Sequence, residues 1–256
     1  MLKEDELIKE HYRQEVCSFE QSIMKDEIVR DRETELIQLF IRSFVEAKVL
    51  DLGCGNGYTL NIVASTYPKK DFFGLDFTPE LVSVTKSIKS PNCEVKEGDA
   101  RRMPFQDSFF DAVYTQRCLI NILDWEEQKI ALQEIHRILK PGGRYLMIEC
   151  FTDGWINYNR ARKECGLDEI KVAYHNRYIE KGLFMKVVEG MFSIVQEHLF
   201  RFNFLSSHYF VSRVLHPLIV KGDFVRNSEF VKFFSFLPPR GNYSPIQAYI
   251  LQKEMK

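Results

Sequence analysis

The chain has 256 residues, enough for one α/β unit with a substantial core, and its 35 Lys and Arg against 36 Asp and Glu leave a formal charge of −1. Such a balance supplies no global field for gathering nucleic acid or an anionic membrane, and no apolar run approaches the roughly 18 residues of a membrane span. Six dispersed cysteines without a C-x-x-C pair or zinc-like spacing read as reduced thiols, so with the charged start MLKEDELIKEH, unlike a secretory signal, the expectation is a cytoplasmic protein without a metal site.

Residues 1–47 are charged, with Ile28, Val29, Leu36, Ile37, Phe40, Ile41 and Phe44 at helical spacing, which predicts an N-terminal helical flap. From 48 strand and helix alternate. KVLDLG is a strand, LNIVASTY a helix closed by Pro68, and DFFGLD a second strand; Thr78-Pro79-Glu80 then starts a helix. CEVKEGD reads as a short strand, RRMPFQDS as a loop and FFDAVYTQ as the fourth strand. Asp124-Trp125-Glu126-Glu127 forms a capping box for a helix to about Lys140, stopped by Pro141-Gly142-Gly143 before the strand RYLMIEC. Beyond 150 the pattern predicts helices around 156–166 and 178–190, a strand FSIVQEHLF, a Phe-rich stretch over 202–238 and a last strand near PIQAYILQK. The division expected is a flap over 1–47, a core over 48–152, and a variable region over 153–256 with a helical cap at about 203–242.

This alternation requires right-handed crossovers and a parallel sheet, whose ligands bind beyond the carboxyl ends of the strands. The site is therefore expected near 51–58, 76–78, 98–101 and 115–121. VLDLGCGNG, residues 49–57, marks a nucleotide-type pocket: Asp51 closes an apolar strand, and Gly53, Gly55 and Gly57 let the backbone turn beneath a ligand. A dinucleotide oxidoreductase is the runner-up for this turn, but its fingerprint needs a third small residue where Tyr58 stands.

Four pieces in order resemble the class I S-adenosylmethionine-dependent methyltransferases: DLGCGNG, the acid closing FFGLDFT, the GDA after the third strand, and FDAVYTQ followed by a helix ending LKPGGRYLMIE. The resemblance implies a Rossmann-like, mostly parallel seven-stranded sheet with an antiparallel last strand and helices on both faces. It also implies S-adenosyl-L-methionine as cofactor, with S-adenosyl-L-homocysteine as product. Gly53 and Gly55 would then pass main-chain amides to the methionine portion and Asp51 would hold its ammonium. Asp76 would take the ribose hydroxyls, Phe77 would lie against adenine, Asp99 and Ala100 would bond its edge, and Gln116 would face the methionine chain.

Many small-molecule members carry a histidine after the fourth strand; LINI places Asn121 there, so a base, where the reaction uses one, comes from the variable region. His175 in YHNRY is the first candidate, and Glu149 at the tip of the fifth strand the second. His208 and His216 read as structural, His136 as lying on an outer helix face, and Cys54 as packing. Arg117, Arg160, Arg162 and Arg177 together offer a grip for a phosphate or carboxylate, or are scattered surface charges. The expectation is a methyltransferase, monomeric or homodimeric, acting on a small molecule such as a sugar or secondary metabolite at oxygen or nitrogen. Alternatives are a quinone or lipid-like acceptor, favoured if 202–238 lines an apolar channel, and a non-catalytic donor-binding or assembly protein.

Overall fold

The computed structural model of the protein describes residues 2–88, 90–195, 203–220, 227–235 and 237–255. Five parallel strands carry the site: β1 (Lys48–Leu52), β2 (Asp71–Asp76), β3 (Cys93–Glu97), β4 (Phe110–Gln116) and β5 (Leu139–Cys150). Two more complete the sheet, β6 (Phe192–Val195) and β7 (Ile246–Lys253), in the order β3-β2-β1-β4-β5-β7-β6, with β7 antiparallel to both neighbours. Val49, Leu50, Phe110, Ala112, Val113 and Leu146 have no exposed surface, as strands covered on both faces require, and this is why they read as continuous apolar runs.

The crossover helices follow their signals. α3 (Tyr58–Thr66) starts from Gly57, at φ 81°, and α4 (Pro79–Thr85) has Pro79 in its first turn. In α5 (Trp125–Ile138) the N-cap Asp124 accepts from the amides of Glu126 and Glu127, while the Glu127 carboxylate turns to Arg101 at 3.4 Å. This helix stops at Ile138, not at Lys140, because Leu139 already pairs with Phe110; the glycine pair is absorbed as a register shift before Ala112 meets Arg144.

The N-terminal region is two helices, α1 (Leu2–Gln14) and α2 (Glu27–Arg42), joined by an irregular stretch. α2 buries Val29, Leu36, Ile37, Phe40 and Ile41, one stripe of its surface. The later helices are α6 (Thr152–Glu164) and α7 (Lys181–Glu189), close to the expected ranges. Of FSIVQEHLF, Phe192–Val195 is strand, and 196–200 lie outside the described residues. Within the expected cap, α8 (Ser206–Phe210) runs through a π turn into α9 (His216–Val220), followed by α10 (Glu229–Ser235); 221–226 and 236 lie outside the described residues.

A buried ion pair ties α2 to these late helices. Asp26 caps α2 by accepting from the Val29 amide and receives Arg213 Nη2 at 2.7 Å and His208 Nε2 at 3.4 Å. Its carboxyl, which burial would raise, is held well below the usual range by these two partners. His216 is buried and packs against Phe230. His136, expected on an outer face, is half-buried with its ring edge-on to Phe192, because β6 lies along that side of α5.

α6 meets the start of β7 without room to spare. A Cβ on Gly154 would fall 2.0 Å from the Ser244 carbonyl oxygen, so Gly154→Ala must push helix and strand apart. The expected cost is about 1–3 kcal/mol, read as a lower urea midpoint; an unchanged midpoint would show that the contact yields freely.

Candidate active site

The carboxyl ends of the parallel strands open on a cavity of about 520 Å³, a size that suits a small ligand. Because the strand order is fixed, its lining residues fall in a line across the sheet. Asp99, Ala100, Phe77 and Asp76 lie beyond β3 and β2; Asp51, Gly53, Gly55 and Gln116 beyond β1 and β4; Arg117, Asn121, Cys150 and Ile246 beyond β4, β5 and β7. Every residue expected at the donor site lines this one cavity.

The glycine turn is held by its neighbours. The amides of Gly53 and Cys54 donate to the Leu75 carbonyl at 2.8 and 3.1 Å, and that of Gly55 donates to Asp76 Oδ2 at 2.8 Å. Gly53 has a φ of 77°, and a Cβ there would lie 2.6 Å from Cys118 Sγ, so the position requires glycine on two counts. Cys54 is buried, and burial pushes its thiol well above its ordinary value.

Asp51 is 2 % exposed and lies across the register from Tyr114. Burial pushes its carboxyl up to about 7, with Asp76 adding to the effect. Burial also raises Asp76, although the Gly55 and Thr78 amides donate to it. Among the described residues no basic side chain pairs with either carboxylate. Asp99 differs: burial would raise it, but Arg101 grips it through Nε at 2.9 and 3.0 Å and through Nη2 at 2.6 Å, holding it below the usual range. Phe77 has Lys9 Nζ 4.2 Å over its ring. The Gln116 amide is fixed at both ends, accepting from Thr59 Oγ1 at 2.9 Å and donating to Glu33 Oε2 at 2.6 Å.

The two candidate bases are separated. Glu149 has no exposed surface, and its carboxylate accepts from the amides of Cys118, Leu119 and Ile120 at 3.0–3.3 Å, so it caps the short turn Leu119–Asn121 from behind and does not line the cavity. His175 does line it, stacked on His11 of α1 with ring centroids 3.7 Å apart. Burial, with His11 beside it, pushes His175 down to about 4. In the expected histidine position, Asn121 accepts from Tyr12 Oη at 3.1 Å and donates to the Arg117 carbonyl at 3.1 Å.

Of the four arginines considered together, only Arg117 reaches the cavity. Arg162 bonds the Asp168 carbonyl, Arg177 bonds Gln128 Oε1, and Arg160 is exposed. Residues without a sequence signal join Arg117: His11 and Tyr12 from α1, Tyr209 and Arg213 from the late helices, and Glu33 behind it in α2. Buried charges at helical positions that should be apolar, Glu33 above all, were the one available hint. α1 is pinned across the opening by Arg13 to Glu80 at 2.7 Å and Asp5 to Arg101 at 3.0 Å.

This fold, with acids and glycines at the strand tips, defines a class of protein, and the comparisons agree. Residues 49–143 match the profile of the methyltransferase domain family. Over that stretch the chain is similar to methyltransferase domains, and its fold is the Rossmann-like one seen in S-adenosylmethionine-dependent methyltransferases. It is 34 % identical over 105 residues to a demethylmenaquinone methyltransferase of Staphylococcus aureus, covering 40 % of this chain and 42 % of that protein, so it spans less than half the length of the curated relatives it matches. Among solved structures it superposes on a SAM-dependent methyltransferase of Methanosarcina mazei with a TM-score of 0.55 and 18 % identity, over 85 % of this chain and 98 % of that one. The [4+2]-cyclase SpnF matches equally well, at a TM-score of 0.57 and 17 % identity over 88 % and 81 % of the two chains. The fold by itself therefore does not fix the reaction.

Asp51 and Glu149, both raised to about 7, keep a proton in the folded state that they lose when unfolded. Their contribution to stability is present below the ordinary carboxylate range and is lost as the pH rises through about 7. Asp51→Asn and Glu149→Gln should each lose less stability than wild type between about pH 5.5 and about pH 8 in urea denaturation. Parallel profiles would mean that neither carboxyl is perturbed.

Proposed function

We propose that the protein is an S-adenosylmethionine-dependent methyltransferase acting on a small polar acceptor at oxygen or nitrogen. One observation carries this reading: Asp51 and Asp76 are sheltered carboxylates on a cavity wall that lack a basic partner among the described residues. Such groups are costly unless a ligand supplies positive charge and hydrogen-bond donors. A ligand with an ammonium, a ribose and a flat base fits the donor set, since a Cβ on Gly55 would meet nothing nearer than Ile23 Cδ1 at 3.8 Å and Phe77 offers an aromatic face.

When bound, S-adenosylmethionine supplies a methyl group on a positively charged sulfur, open to in-line attack. In this reading Asp51 holds the ammonium. Asp76 keeps its bonds to the Gly55 and Thr78 amides and uses its remaining lone pairs for the ribose hydroxyls. Asp99, locked by Arg101, and the Ala100 amide meet the adenine edge, while Gln116, locked by Thr59 and Glu33, faces the methionine chain. Residues 48–152 form the donor-binding core, 1–47 the flap and 153–256 the acceptor-side region.

His175 is assigned as the base that takes the acceptor's proton. It is neutral at neutral pH, and its buried Nδ1 makes no hydrogen bond among the described residues. Glu149 is a positioning residue, since its three amide bonds fix the turn that carries Asn121. The relative's quinone substrate suggests an apolar acceptor, but the charged groups beyond Gln116 favour a polar one.

Calorimetry with S-adenosylmethionine, S-adenosylhomocysteine and NADH tests the donor. The sulfur ligands should bind and NADH should not, and binding of S-adenosylmethionine at about pH 6.5 should release protons as its ammonium pulls Asp51 down. Asp76→Ala should weaken donor binding by about 1.5–3 kcal/mol; unchanged affinity would remove Asp76 from the ribose site. With an acceptor in hand, His175→Ala should slow turnover by on the order of 100-fold while donor affinity holds. Donor binding without turnover on a broad acceptor panel would instead favour the non-catalytic reading.

A further inference from the structure

Beyond Gln116 the cavity changes character. Three polar atoms there are buried and make no hydrogen bond among the described residues: Nε of Arg117, Nδ1 of His175 and Oδ1 of Asn176. Each such group is costly when left unmet. All three belong to residues that line the chamber, and the Arg117 side chain, 31 % exposed, keeps part of its guanidinium open there without a hydrogen bond among the described residues.

Arg117 is the most telling of the three. It follows β4 directly with a φ of 57°, a left-handed conformation that a non-glycine residue adopts at a cost. Its nearest carboxylate is Glu33 Oε1, at 3.4 Å, longer than a charge-assisted hydrogen bond. Glu33 is divided between this contact and its 2.6 Å bond from Gln116, and burial raises its carboxyl, so it neutralises Arg117 incompletely. The second guanidinium lining the chamber, Arg213, is committed to Asp26 at 2.7 Å and Ser212 at 2.6 Å and lies 3.9 Å over the Tyr209 ring.

Resting on the methyltransferase reading, we propose that the acceptor is a small carboxylic acid bearing a hydroxyl or amine: its carboxylate meets the Arg117 guanidinium, and its O–H or N–H faces His175 and Asn176. The planar guanidinium matches a carboxylate, whereas a phosphate dianion would leave charge unmet beside Glu33. His175 and Asn176 line the same chamber, and a neutral imidazole and an amide oxygen can each accept, so they suit a group that donates a proton, as a nucleophile awaiting methylation does. Tyr12, Tyr178 and Tyr209 line the same end and give a planar acid aromatic walls.

The test is calorimetry with S-adenosylhomocysteine present, using 3- and 4-hydroxybenzoate, lactate and glycine, each paired with its primary amide. At least one acid should bind about tenfold or more tightly than its amide, as one charge-assisted pair implies. Arg117→Gln should erase that preference, and Glu33→Gln, which removes the competing carboxylate, should strengthen acid binding several-fold. If Arg117 served only to neutralise Glu33, E33Q would weaken acid binding or leave it alone, and this arm stands even where R117Q fails to fold. Acids and amides binding alike, no acid binding, or an intact preference in folded R117Q would each overturn the proposal while normal S-adenosylhomocysteine binding preserves the donor reading. Loss of S-adenosylhomocysteine binding in the wild-type protein would overturn both.

Discussion

The closeness of the Gly53 backbone to Cys118 sets the geometry of the whole site. With no side chain at Gly53, the turn after β1 packs against the turn after β4, and its amides reach the Leu75 carbonyl at the end of β2. Three strand tips are thereby fixed relative to one another by backbone contacts. The carboxylates of Asp51 and Asp76 inherit that rigidity. They stand at the mouth of the sheet with their solvation removed, a state that only a complementary ligand relieves.

α2 carries the second half of the design. It is a packing helix in its apolar stripe, yet its N-cap Asp26 and its Glu33 are also buried. Asp26 anchors the late helices through Arg213, and Glu33 orients Gln116 and approaches Arg117. One helix thus couples both ends of the cavity and the late helices. Breaking either buried pair would leave an uncompensated charge, which is usually far costlier than the pair is stabilising.

The two ends of the cavity are electrically unlike. At one end Asp51 and Asp76 lack a cation among the described residues, while at the other the Arg117 guanidinium is only partly neutralised. A positively charged donor and an anionic acceptor would each lower the cost of the wall it touches, and their opposite charges would draw them together over Gln116. His175, kept neutral by burial under His11, sits at that junction without adding a like charge.

The strand-tip half of the cavity was legible in the sequence because it is local: the acid and glycines of 51–57, the acid at 76 and the GDA at 98–100 sit within single strand-to-turn units, whose geometry a few consecutive residues dictate. The strand order followed from the βαβ alternation, because right-handed crossovers leave few alternatives. The half beyond Gln116 was not legible in the same way. His11, Tyr12, Glu33, Tyr209 and Arg213 come from segments nearly two hundred positions apart, and no short pattern marks a side chain whose partner is brought to it by packing. Glu149 shows the limit from the other side: a strand-tip acid looks like a catalyst in sequence, but it is buried behind a turn whose amides consume its oxygens. The sequence by itself determined the sheet and the glycine turn with its strand-tip acids, where the interactions are backbone-close and local. Only the tertiary structure decided which charges meet across the cavity, because burial and pairing are properties of the folded neighbourhood and not of the residue.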